Sequence, residues 1–137
     1  MIKEDYVSFE IANLLKEKGF EIPYDSLRGV YINGIFKRLN PGGAYLYNLG
    51  DEIVDVCSLQ MAMKWLREVH NINLSVVPHS YKEDKPFDYE FAYWNGGEYH
   101  TPYDEKHPTY HELFGKSWKK YEEACEAAIK YCLENLI

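Results

Sequence analysis

Apolar residues recur at helical spacing in three stretches of this chain and alternate in others. In "SFEIANLLKEKGF", Phe9 with Ala12 and Ile11 with Leu14 and Leu15 form one apolar stripe. Ser8 is placed to cap that helix, and Gly19 to stop it in the left-handed conformation with Phe20 folding back. "SLQMAMKWLREVHN" repeats the pattern. Ser58 is the cap, Leu59, Ala62, Met63, Leu66 and Val69 are the stripe, Trp65 is on its flank, and Asn71 is the stop. The last segment is the most regular. Tyr121, Ala124, Cys125, Ala128, Ile129, Cys132, Leu133 and Leu136 fall at three- and four-residue intervals, with most of the glutamates off that line.

Between the helices the pattern shortens to a period of two. Phe87, Tyr89, Phe91 and Tyr93 share one face of an extended segment, and Asp88, Glu90 and Ala92 share the other. Asn95-Gly96 reads as a hairpin turn returning through "GEYHTPY". "INLSVVPHSY" reads as the preceding strand, with Pro78 marking an edge or a bulge. In the first half, "GVYING", "AYLYNLG" and "EIVDVC" are short strand candidates, with "NPGG" as the turn between the first two. "DEKHPTYHELFGKSW" is a polar loop with room for one helical turn after Pro108.

These elements predict a single α+β domain over residues 1–137. Residues 1–57 supply a helix and short strands, and 58–137 run helix–strand–strand–strand–helix. Helices at about 58–70 and 119–136 cover one face of an antiparallel sheet, with the N-terminal helix and a hairpin completing the fold.

Charge narrows the function. The net charge of −7 and pI of about 5.2 repel phosphate backbones and acidic membranes, and acid is spread along the chain. No apolar run approaches the ~20 residues a membrane span needs. "MIKEDYVSFE" lacks the apolar core of a signal peptide, so a cytoplasmic location is expected. The three cysteines, Cys57, Cys125 and Cys132, form no disulfide framework, and Cys125 and Cys132, seven apart on one helix face, read as small core residues.

Three constellations bear on chemistry. Tyr89, Tyr93, Trp94, Tyr99, Tyr103 and Tyr110, interleaved with acids, suit a protein partner, and a basic one best. His100, His107 and His111, with Asp104, Glu105 and Glu112 near them, are candidate metal ligands. They have no cysteine and no H-E-x-x-H motif. No phosphate-binding glycine loop or nucleophile elbow is present, so no catalytic residue and no cofactor is expected.

The segment from Ser58 onward resembles the double-stranded-RNA-binding domain in element order. That resemblance implies phosphate-contacting lysines at the start of the last helix. Aligning Ala124 with the family's first helix alanine puts Tyr121, Glu122 and Cys125 where those lysines belong, and "KEDKP" stands in place of the family's glycine-proline-histidine loop. "DYVSFEIANLLKEKGF", "LQMAMKWLREVHNI" and "YEEACEAAIKYCLENL" together resemble a group of short uncharacterised proteins of Bacteroidales phages and integrated elements. The resemblance implies an accessory protein with no assigned activity. The expected role is a non-enzymatic module binding a host or element protein, with a homodimer compatible. Nucleic-acid binding, then metal-dependent hydrolysis, are the alternatives.

Overall fold

The computed structural model describes residues 4–40, 46–79, 88–104, 109–113 and 116–137. Their order is α1 (Phe9–Glu17), β1 (Gly29–Ile32), β2 (Ile35–Arg38), β3 (Ile53–Asp55), α2 (Leu59–His70), β4 (Ile72–His79), β5 (Asp88–Asn95), β6 (Glu98–His100), α3 (Tyr110–Leu113) and α4 (Tyr121–Asn135). The fold is α+β, with its strands in two three-stranded antiparallel sheets, ordered β2-β1-β3 and β4-β5-β6.

The helix signals act as their chemistry requires. The Ser8 hydroxyl accepts from the Ile11 N–H at 3.3 Å, and that of Ser58 from the Met61 N–H at 3.1 Å. α1 ends in a Schellman motif. Gly19, at φ 87°, donates to the Lys16 carbonyl at 3.1 Å, while Phe20 donates to that of Leu15 at 2.9 Å. Phe20 then packs edge-on against Trp65 of α2, ring centroids 5.1 Å apart. Asn71 closes α2 in the left-handed region.

In the first sheet the turn comes earlier than "NPGG". The chain reverses at Asn33-Gly34, both at positive φ (52° and 81°), as a two-residue turn between right-twisted strands requires. The partner of "GVYI" is therefore "IFKR", with Ile32 opposite Ile35. The expected strand "AYLYNLG" is not one over 46–50, and "NPGG" lies largely outside the described residues. The expected third strand is β3, which pairs with the other edge of β1.

In the second sheet β4 pairs with β5 from Ile72↔Asn95 to His79↔Asp88, and Pro78 sits on an edge strand. The tight turn is Gly96-Gly97, flanked by the pair Asn95↔Glu98, one residue later than Asn95-Gly96. From Asp88 on the alternation is as expected, Phe87 being outside the described residues. Phe91 and Tyr93 are buried, opposite Val76 and Leu74, and α2 and α4 pack on that face. α3 is the single turn expected after Pro108.

One core runs from Val7 to Leu133 and includes residues of α1, β3, α2, β4, β5 and α4. α4 buries a wider arc than its stripe predicted. Tyr131 is inside at 4 % exposure, whereas Tyr121 lies at the surface. In α2, Val69 is exposed at 62 %, and Trp65 is half-buried on the flank, against the edge of the core. All three cysteines are free and buried. Desolvation pushes the Cys57 and Cys132 thiols up to about 12, so they stay protonated and unreactive.

Candidate functional site

The six aromatic residues expected to share a binding surface are dispersed. Tyr93 is a core residue, 3 % exposed, because its place in the β5 alternation points it at α4. Its hydroxyl lies 3.3 Å from that of Tyr131, and burial raises the pKa of both phenols. Tyr89, on the same side of β5, meets Tyr121 edge-on at 5.9 Å. The Tyr103 hydroxyl donates to the Lys116 carbonyl, and Tyr110 packs against His111. Only Trp94 and Tyr99 meet on the outer face of the second sheet, opposite each other in register with rings 4.9 Å apart.

The histidines are also dispersed. His100 lies flat against Tyr93 at 5.4 Å, with Glu98 3.7 Å away, and His111 has Tyr110 as its ring neighbour. His107 is outside the described residues. Among the described residues no three histidine, cysteine or carboxylate groups gather as a metal site would require.

A different surface is concave. A groove of about 420 Å³ opens between α1 and α4. Its lining includes Tyr6, Ile11, Leu59, Trp118 and Ala127. Backbone pairing holds both aromatic residues in place. The segment around Tyr6 bridges to Ser58, with the Val7 N–H donating to the Cys57 carbonyl at 3.0 Å and the Leu59 N–H to the Asp5 carbonyl at 2.9 Å. Trp118 and Tyr89 exchange backbone hydrogen bonds at 2.6 and 2.9 Å, which fastens the segment before α4 to the edge of β5 beyond β6. Tyr6 is further steadied by the Phe36 ring at 5.4 Å, and Trp118 by Phe91 at 5.5 Å.

The charged groups of the groove are five carboxylates, Asp5, Glu10, Glu122, Glu123 and Glu126, and one ammonium, Lys130. Two of the carboxylates serve the fold. Glu126 accepts the Ser8 N–H at 3.0 Å, and Glu10 pairs with Lys130 at 3.0 Å, a contact that raises the lysine's pKa. Asp5, Glu122 and Glu123 are exposed and, among the described residues, have no salt-bridge partner. Aromatic faces beside uncompensated carboxylates attract cations, through the ring quadrupole and through charge.

The sequence offered fragments of this site. The glutamates opening α4 read as favourable partners of the helix dipole, which they also are. Nothing local joined them to Asp5 and Tyr6, more than a hundred residues earlier.

A second cleft of about 530 Å³ lies between the end of α1 and β3. It holds Lys16, Glu21 and Asp55 over Leu15, Phe20, Ile22 and Ile53. Desolvation raises the pKa of the Asp55 carboxyl and Lys16 opposes that rise.

The molecule is thus an α+β protein with a helix-covered sheet and a carboxylate-rimmed aromatic groove. Compared with known proteins, the chain matches no family model, no curated protein and no solved structure. Among the described residues, no helix is long and apolar enough to cross a membrane.

Proposed function

We propose that this protein is a binding module without catalytic activity, and that the groove between α1 and α4 receives a lysine- or arginine-bearing segment of a partner protein. The observation that supports this reading is the grouping of Tyr6 and Trp118 with Asp5, Glu122 and Glu123, exposed carboxylates that have no salt-bridge partner among the described residues. A guanidinium or ammonium on such a rim gains both charge attraction and a ring face. A nucleic-acid backbone would meet like charge at this groove. Lys119 and Lys120, at the start of α4, are followed at once by Glu122 and Glu123. The partner class proposed is a protein of the host or of the element that carries this chain.

Titration of short arginine- or lysine-rich peptides, followed by Trp118 fluorescence and by calorimetry, tests the reading. Binding is expected to weaken steeply with salt. The double variant Glu122→Lys/Glu123→Lys is expected to bind about tenfold less, since exposed ion pairs contribute ~0.2–1 kcal/mol each. Equal binding by the variant, or preference for an acidic peptide or an RNA, would refute it.

A further inference from the structure

The outer edge of β4 carries an inference independent of the groove. In an antiparallel pair each strand turns alternate residues' backbone groups toward its neighbour and the others away. Pro78 lies opposite Tyr89, whose own N–H and C=O both bond to Trp118, on the side away from β4. Pro78↔Tyr89 is therefore a pair without mutual backbone bonds, and Pro78 faces outward too. By the period of two, Ile72, Leu74 and Val76 also direct their backbone groups away from β5. The proline costs the ladder nothing there, which explains its place within a strand. Among the described residues no strand or loop backbone pairs with this edge.

The edge is eight residues long, and residues 72–78 carry no ionisable side chain. Protein edges exposed in solution are usually shortened or guarded by charge. Here Pro78 removes only one outward donor, near the end.

We infer that β4 pairs antiparallel with β4 of a second copy of this chain, joining the two second sheets into one of six strands. A second copy fits better than a foreign peptide for two reasons. An antiparallel strand is complementary to itself about a two-fold axis. The uncharged edge also lets two chains of net charge −7 meet without facing like charges.

With the axis at Ser75, Leu74 and the partner's Val76 exchange hydrogen bonds, and the Ile72 N–H meets the partner's Pro78 carbonyl. By symmetry this gives about six bonds. The two Ser75 side chains then oppose each other on the outer face with Cα atoms about 4.5 Å apart, a spacing that a disulfide tolerates.

Sedimentation of the native chain at about 100 μM is expected to show a dimer. Ser75→Cys is expected to give a disulfide-linked dimer on mild oxidation, because the native cysteines are buried. Ala92→Cys, opposite Ser75 on β5 and off the axis, is expected to give none. Ser75→Lys is expected to be a folded monomer by circular dichroism, and mixing it with Ser75→Glu to restore dimers. A monomeric native chain, absence of the Ser75→Cys cross-link, or a Ser75→Lys dimer as tight as the parent would overturn the inference. A monomer that instead takes up an added peptide strand on this edge would do so too.

Discussion

Removing either hydroxyl of the Tyr93–Tyr131 pair should expose their coupling. Both rings are nearly fully buried, and the oxygens are 3.3 Å apart. Tyr131→Phe leaves the Tyr93 hydroxyl without this partner in the core, at a cost of ~1–2 kcal/mol. It also removes a hydrogen bond with Thr109, so it should cost more than Tyr93→Phe. The double variant orphans neither phenol of the pair, so its cost should fall short of the sum of the singles by about 1 kcal/mol. For a chain of this length, that coupling is about 3–5 °C in Tm. Urea denaturation of the four proteins, followed by far-UV circular dichroism, gives the cycle directly. Strict additivity would show that the two hydroxyls do not interact and that this part of the core is packed differently. The same geometry means that Tyr93→Ala would report on folding and not on partner capture.

Two further predictions rest on backbone and burial. Gly34→Ala forces a side chain into φ +81° at the Asn33-Gly34 turn and should lower stability by about 1 kcal/mol, read as a shifted urea midpoint. Because the folded pKa of Cys57 and Cys132 is raised from 9.0 to about 12, their contribution is full below pH 9 and is lost as pH rises from 9 toward 12, by roughly 1.4 kcal/mol per unit and thiol at most. The urea midpoint should hold from pH 7 to about 8.5 and then fall, and a thiol reagent at pH 8 should label none of the three cysteines until denaturant is added.

Local signals are legible in the sequence because local chemistry decides them. Ser8, Ser58, Gly19 and Asn71 cap or stop helices wherever those helices pack. The alternation through Tyr89, Phe91 and Tyr93 showed which residues share a face. It could not show that the face lies under α4, so Tyr93 read as surface. The stripe of α4 gave a direction but not a width. Tyr131 lies off that line, and its burial follows from α4 also touching α1, α2, β4 and β5. Asn33-Gly34 was legible, but the stronger-looking "NPGG" drew the turn to itself. The groove was not legible, because Asp5 and Tyr6 join Glu122 and Trp118 only through the tertiary fold.

The clasp between α1 and α4 has a consequence for biosynthesis. Ser8 and Glu126 are 118 positions apart, yet α1 relies on that carboxylate and on Lys130 to hold one of its sides. During translation at roughly 5–20 residues per second, that side waits about 6–24 s for its mate to be made. α1 can rest on β3 meanwhile, but its other flank stays open to passing chaperones, and the clasp closes only once α4 has been made.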